Sequence, residues 1–220
     1  MTKDFSRIGI NHDRVNNTSN FQAGTLSKEG EVFCEFMNDR IPAKGNNPRV
    51  EIRSRLIALF REDLRTDKDP NDKYMEDDHG YIQWFFPLEQ RGVNPQAPIV
   101  TSGDHVALGA DEDFRVRIFE HFMLFAEFMG IEYIPENGEF HKVDAKQWNS
   151  WINNGHNNLR ISRILTSLCD FGLQQVATDL LLFLQRETQR ESPEIISDEE
   201  FIPFREFTKE SCQKFWSKAL

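Results

Sequence analysis

Residues 111–129 read DEDFRVRIFEHFMLFAEFM, and large apolar side chains recur in this stretch at intervals of three and four residues. Such spacing places them on one side of an α-helix. The stripe consists of Phe114, Ile118, Phe122, Phe125 and Met129, and it is widened by Phe119, Met123 and Phe128. A stripe this wide predicts a helix that is central to the fold and largely buried.

Two helical patterns precede the central stretch. Ser27 is a candidate N-cap for the first, and Asn47 followed by Pro48 is a typical start for the second. Their apolar faces consist of Val32, Phe33, Phe36 and Met37, and of Ile52, Leu56, Leu59 and Phe60. The charged segment 65–78 contains Pro70, which indicates a loop rather than one continuous helix.

Four helical patterns and a turn follow the central stretch. Asn137 and Gly138 predict either a strand pair or a loop over residues 131–141. Asp144 and Gln147 resemble a capping box, and Asn157 or Asn158 is expected to cap the next helix, which Gly172 ends. The four apolar faces consist of Trp148, Trp151 and Ile152; of Leu159, Ile161, Ile164, Leu165 and Leu168; of Val176, Leu180, Leu181 and Leu184; and of Phe215 and Trp216.

These patterns predict an all-α (mainly α) fold. Helices dominate, and strands do not alternate with helices as they would around a parallel sheet. We expect residues 25–220 to form a single compact multi-helix domain with long Pro-containing loops and at most a minor β-hairpin. Residues 1–24 are polar and rich in Asn, so we expect them to form an N-terminal arm that is ordered only if it packs on the domain.

Charge and composition narrow the partners and the compartment. The formal net charge is −10, which argues against nucleic-acid binding and against an anionic membrane surface. No apolar run approaches the roughly 18 residues of a membrane span, and the N-terminus lacks a signal-peptide pattern. The three cysteines lack metal or disulfide spacing, which indicates buried thiols. We therefore expect a cytoplasmic protein, or a nuclear one in a eukaryote.

The segment HGYIQWFFPL, residues 79–88, is the first candidate for function. Its six positions 81–86 hold five large apolar or aromatic side chains, more than one buried face accommodates. One interpretation is a core helix that ends at Pro87 and whose polar groups are satisfied by neighbours. In the other interpretation Tyr81, Gln83 and Trp84 line an aromatic groove for a peptide or a small ligand.

The segment GHNNLRISRILTSL, residues 155–168, is the second candidate. Its polar residues stand at a helix start, where free N–H groups and the helix dipole favour an anion. Arg160, Arg163 and Ser167 are spaced to share one face. The cluster is either a capping arrangement with the arginines paired to acidic residues, or a clamp for a carboxylate or phosphate. The candidate ligand-binding residues of both segments are Tyr81, Gln83, Trp84, His156, Asn157, Arg160 and Arg163.

The order and spacing of HGYIQWFFPL, GVNPQAP (residues 92–98) and GHNNLRISRILTSLCDFGL (residues 155–173) resemble the opioid growth factor receptor family. The resemblance is strongest over residues 75–190. In animal members the domain serves a receptor for an enkephalin peptide that restrains cell growth, with a perinuclear or nuclear location. The resemblance therefore implies an all-helical, receptor-like module whose partner is a peptide or a protein, with no assigned catalytic residues.

Signatures of catalysis and metal binding are weak. Glu76 and His79 match half of a helical di-iron set, but the second half and its carboxylate partners are missing, so we expect no metal and no cofactor. The sequence contains no Walker loop, dinucleotide fingerprint or nucleophile elbow. The alternative to a binding module is an enzyme that uses Tyr81, His156, Arg160 and Arg163 on a small anionic substrate.

Overall fold

A computed structural model describes residues 6–10, 26–38, 80–152 and 157–189 of the chain. The predicted helix that starts at Asn47, the charged loop 65–78 and the predicted terminal helix with Phe215 and Trp216 lie outside these ranges. His79 and His156 also lie outside them.

The described residues form seven α-helices, one β-hairpin and one 3-10 turn. The 3-10 turn spans Ser6–Ile8. The helices are α1 (Lys28–Met37), α2 (Ile82–Phe85), α3 (Ser102–Gly109), α4 (Glu112–Phe128), α5 (Ala145–Ile152), α6 (Asn157–Asp170) and α7 (Gln174–Gln189). The strands are β1 (Ile131–Ile134) and β2 (Glu139–Lys142). The predicted mainly α fold with a minor hairpin is thus confirmed. None of the described helices is long and apolar enough to cross a membrane.

Helix α4 is the central helix that the stretch 111–129 predicts. Asp111 caps it by accepting a hydrogen bond from the backbone N–H of Phe114 at 3.1 Å. Twelve of its 17 residues are buried, because α3, α6 and the hairpin pack around it. Burial of this extent on one helix makes α4 the organising element of the core.

Residues 131–142 form the strand pair rather than the loop. β1 and β2 are antiparallel, and Tyr133 lies opposite Phe140 with ring centroids 4.6 Å apart. Gly138 has a φ of +75°, the left-handed conformation that glycine adopts at little cost. Both rings lie against Phe122 of α4, so the hairpin covers one side of the central helix.

Helices α5, α6 and α7 complete the core. Gly172, with a φ of +81°, separates α6 from α7 as predicted. The expectation that Asn157 or Asn158 caps α6 was wrong, because the helix already includes both residues. The capping box before α5 is only half formed: Asp144 accepts from the backbone of Gln147, whereas the Gln147 amide donates to the carbonyl of Phe128.

The 3-10 turn near the N-terminus is attached to the helical domain. Ile8 and Ile10 are buried in the core. The guanidinium of Arg7 donates to both carboxylate oxygens of Asp179 on α7. The Tyr133 hydroxyl of β1 donates to the same carboxylate at 2.7 Å. Residues 6–10 therefore pack on the domain through an ion pair and two apolar side chains.

Candidate functional site

The two segments that carry the family resemblance meet in the structure. We call their contact the seam, defined as residues 80–88 together with the flank of α6 that carries Arg160, Arg163 and Ser167. The Nε of Arg163 donates to the carbonyl of Phe86 at 2.6 Å, and the Ser167 hydroxyl donates to the carbonyl of Pro87 at 3.3 Å. The Cζ of Arg160 lies 5.9 Å from the centroid of the Tyr81 ring. The flank that helical spacing predicts is thus turned towards the aromatic segment.

Backbone chemistry explains why the segments meet. Helix α2 is a single turn, and the carbonyls at a helix C-terminus have no donor within the helix. Pro87 follows directly after the C-cap residue Phe86, and it has no backbone N–H of its own. The buried carbonyls of Phe86 and Pro87 therefore need donors from elsewhere, and α6 supplies them from Arg163 and Ser167.

Tyr81 and Trp84 lie in the core rather than in an open groove. Tyr81 is 0% exposed and Trp84 is 1% exposed. The Trp84 ring lies 5.1 Å from that of Phe36 on α1, and the Tyr81 ring lies 5.3 Å edge-on to that of Phe85. A ligand reaches neither aromatic face without displacing these neighbours.

Gln83 fastens a loop to the seam. Its Oε1 accepts a hydrogen bond from the backbone N–H of Asn94 at 2.5 Å, and the Asn94 amide donates to the carbonyl of Gly80 at 3.0 Å. A Cβ atom at Gly92 would lie 2.6 Å from the Cδ of Gln83, so the loop approaches this closely only because residue 92 is glycine. Gln83 thus holds the loop 91–98 against the core.

Asn157 and Arg160 are also enclosed. The Asn157 amide donates to the carbonyl of Trp151 at 2.9 Å, which joins the end of α5 to the start of α6. Arg160 is 4% exposed. An enzymatic pocket built on Tyr81, His156, Arg160 and Arg163 requires these groups around one open cavity. Two of them are shielded from solvent, and His156 lies outside the described residues.

Among the candidate residues that the structure describes, Arg163 is the one that stays partly accessible. Burial lowers the pKa of its guanidinium to about 10, which still leaves the group charged at neutral pH. Within residues 6–10, 26–38, 80–152 and 157–189, the structure shows the Phe86 carbonyl as its hydrogen-bond partner and shows no carboxylate in ion-pair contact with it. Arg163 is therefore a partly desolvated cation whose terminal N–H groups can still donate hydrogen bonds to a ligand.

Leu159 is a residue that sequence reasoning assigned to the buried apolar face. It is 62% exposed, one turn before Arg163. The residues of α6 that do face the core are Ile161, Ile164, Leu165 and Leu168. Leu159 stands instead on the flank of Arg163, four residues away, and this i, i+4 relation was the signal in the sequence.

One buried histidine, His105, lies next to the seam, where it is hydrogen-bonded to the backbone of Pro87. His105 of α3 is buried edge-on to Phe171, with ring centroids 4.7 Å apart, and its Nε2 lies 4.0 Å from Asp170. Burial lowers the pKa of His105 despite the nearby carboxylates. In the part of the chain that the structure describes, no three His, Cys, Asp or Glu side chains gather as a metal site. We therefore interpret His105 as a packing residue.

Comparison with known proteins agrees with the family resemblance of the two segments. Residues 49–201, more than half of the chain, match the family model of the opioid growth factor receptor conserved region. The human opioid growth factor receptor is 34% identical over 151 residues, which is 66% of this chain and 22% of the human protein. Opioid growth factor receptor-like protein 1 of Xenopus tropicalis is 30% identical over 153 residues, which is 68% of this chain and 28% of that protein.

The matched stretch is thus less than a third of either relative. The rat opioid growth factor receptor matches to a similar extent, with 34% identity over 135 residues, which is 60% of this chain and 23% of the rat protein. No solved structure matches this chain.

Proposed function

The chain belongs to the opioid growth factor receptor family. We propose that it is a receptor-like module that binds a peptide or a partner protein at the outer edge of the seam, where Arg163 and Leu159 of α6 reach the surface. The observation that carries the proposal is the meeting of the two family segments around Arg163, a partly accessible cation held by the carbonyl of Phe86. The buried candidate residues Tyr81, Gln83, Trp84 and Arg160 of the seam, together with Asn157 at the start of α6, are proposed to hold this edge in shape.

The surface chemistry of this edge suits a peptide. Arg163 offers a cation, and exposed Leu159 offers apolar area on the same flank of α6. Apolar contact supplies affinity, and a few placed polar groups supply orientation. The charged group of Arg163 and the apolar side chain of Leu159 lie about one helical turn apart, a distance that one or two residues of a ligand peptide can span.

The names of the relatives suggest the first ligand to test. Two of them are called opioid growth factor receptor. The family resemblance implies an enkephalin peptide as the ligand of animal members, so this peptide is our first candidate. Because the matched stretch is 22% of the human protein, the activity of that whole protein stays a proposal for this chain. We further propose a cytoplasmic location, or a nuclear one in a eukaryote, on the strength of the family resemblance.

Calorimetric titration with an enkephalin peptide, together with affinity capture from the source cell, tests this function. We expect saturable heat, or a partner protein that is retained by the wild-type chain and lost with Arg163→Ala. Arg91→Ala is the matched control, because Arg91 also donates to a backbone carbonyl, that of Pro95 at 3.0 Å, but on the open surface. Absence of both signals contradicts the proposed function.

A further inference from the structure

We propose that the group Arg163 binds is a carboxylate, held end-on by the two terminal nitrogens of the guanidinium. This rests on the proposed function and specifies the part of the ligand that the seam recognises. The carboxylate is either the C-terminus of a peptide or an acidic side chain, and exposed Leu159 favours a C-terminus that follows an apolar residue.

The contacts of Arg163 orient its guanidinium for such a partner. The Nε is engaged by the carbonyl of Phe86 at 2.6 Å, which fixes the plane of the group. In the described part of the chain, no group accepts a hydrogen bond from its Nη1 and Nη2 atoms. The end-on edge of these two nitrogens matches the two oxygens of a carboxylate. A cation held in place before binding loses less conformational entropy when the ligand arrives.

Within the described residues, Arg163 lacks the carboxylate partner that three other arginines have. Arg7, Arg91 and Arg186 each lie within 4.0 Å of a carboxylate oxygen, on Asp179, Glu29 and Glu187 respectively. Arg163 lies among buried groups instead, and burial disfavours its charged form. An anion that enters this site compensates the lost hydration, so a hydrogen-bonded pair here contributes more than one on the open surface.

The charge of the surroundings favours a single negative charge over a phosphate dianion. The chain carries a net charge of −10. Asp170 stands two turns after Arg163 along α6, and Glu89 directly follows Leu88, the last residue of the seam segment 80–88. A doubly charged phosphate usually requires several cationic donors, and these carboxylates oppose it.

Leu159 determines how a ligand is oriented on the surface of α6. It is exposed and lies four residues before Arg163, so the two side chains are neighbours on the helix surface. A ligand whose carboxylate meets Arg163 can cover Leu159 with an apolar side chain. The C-terminal residue of a peptide carries both groups on one Cα atom, which matches the spacing of one helical turn.

The test is an NMR titration of the 220-residue chain that follows the Nε–Hε resonance of Arg163, assigned from its loss in Arg163→Lys. The probes are N-acetyl-leucine, its methylamide, N-acetylglutamate α-methylamide and inorganic phosphate, all at one ionic strength. We expect a saturable shift with N-acetyl-leucine and none with its methylamide. A shift with the glutamate probe alone also supports the carboxylate but assigns it to an acidic side chain.

Variants complete the test through the backbone amides of α6. Arg163→Gln should weaken N-acetyl-leucine binding by roughly tenfold or more, as expected for a lost charge-assisted pair. Arg91→Gln removes the same charge from the open surface and should change the affinity by no more than about twofold. No response to either carboxylate probe, or a response to phosphate alone, overturns the proposal.

This result separates the inference from the function on which it rests. If an enkephalin peptide binds equally well as the free acid and as the C-terminal amide, and Arg163→Gln does not weaken it, the inference fails while the binding function stands. If the peptide and the captured partners fail but N-acetyl-leucine still shifts the Arg163 resonance, the carboxylate site stands and the ligand assignment falls.

Discussion

Trp84 shows how closely the aromatic segment is built into the core. Its ring contacts Phe36 of α1 and is 1% exposed. We expect Trp84→Ala to lower the free energy of unfolding by about 3–5 kcal/mol, because the substitution leaves a cavity that the helices do not fill. Urea unfolding measures this change. A loss below about 1 kcal/mol, close to the cost of a surface substitution, would contradict the buried position.

Asp104 joins the starts of two helices. Its carboxylate accepts hydrogen bonds from the backbone and hydroxyl of Ser27, at 2.7 and 2.6 Å, and of Thr101, at 2.9 and 2.7 Å. Burial alone would raise its pKa, but these bonds outweigh burial and hold the pKa of Asp104 below its ordinary value. The charged form therefore stabilises the folded state.

The pH dependence of stability follows from that direction. The contribution of Asp104 is fully present above the unfolded pKa of about 3.9, and it is lost as pH falls through the lower folded pKa. We expect Asp104→Asn to be less stable than the wild type at pH 7 by about 1–3 kcal/mol, with the difference shrinking below about pH 4. Melting curves from pH 7 to pH 3 measure it. A difference that stays constant over this range contradicts the assignment.

At the scale of the elements, the loop 91–98 depends on a close approach at Gly92. A Cβ atom there would displace the Gln83 amide and break its bond to the backbone of Asn94. We expect Gly92→Ala to destabilise the fold by about 1–3 kcal/mol, measured by urea unfolding. Gly103→Ala is the matched control, because its Cβ would lie 3.8 Å from the nearest atom. Equal stability of the two variants contradicts the packing described here.

Periodicity predicted most of the described helices and some of their ends, although it did not predict α3. The stripe of residues 111–129 became α4 with Asp111 as its cap, and Ser27 caps α1 by accepting from the N–H of Gly30. These features depend on neighbours in sequence, which local patterns record. Leu159 was misassigned because hydrophobicity alone does not say whether a residue at the edge of an apolar stripe is covered by another element.

At the scale of the whole molecule, the ion pair of Arg7 with Asp179 connects the N-terminal turn to α7 and, through Tyr133, to the hairpin. We expect Arg7→Ala to lower the free energy of unfolding by about 1–3 kcal/mol, because Asp179 stays buried without its cation. Urea unfolding measures the loss. Arg186→Ala, at an exposed position on the same helix, should change stability by less than about 1 kcal/mol. Equal effects of the two variants contradict this role for Arg7.

The meeting of the two family segments is the feature that local patterns did not predict. Arg163 and the carbonyl it binds are separated by 77 positions in the sequence. Their contact follows from the tertiary requirement that the buried carbonyls after α2 find donors, and this requirement becomes visible only when α2 and α6 are placed in space. The spacing of Arg160, Arg163 and Ser167 predicted a shared flank but did not say what it faces.

The most direct test of the central claim is calorimetric titration of an enkephalin peptide into wild-type, Arg163→Ala and Arg91→Ala proteins, with the melting temperature of each. We predict that the wild type and Arg91→Ala bind alike. Arg163→Ala should bind roughly tenfold or more weakly while its melting temperature falls by no more than about 4 °C, the effect of about one lost hydrogen bond. Unchanged binding by Arg163→Ala, no binding by the wild type, or loss of binding together with a large fall in melting temperature would contradict it.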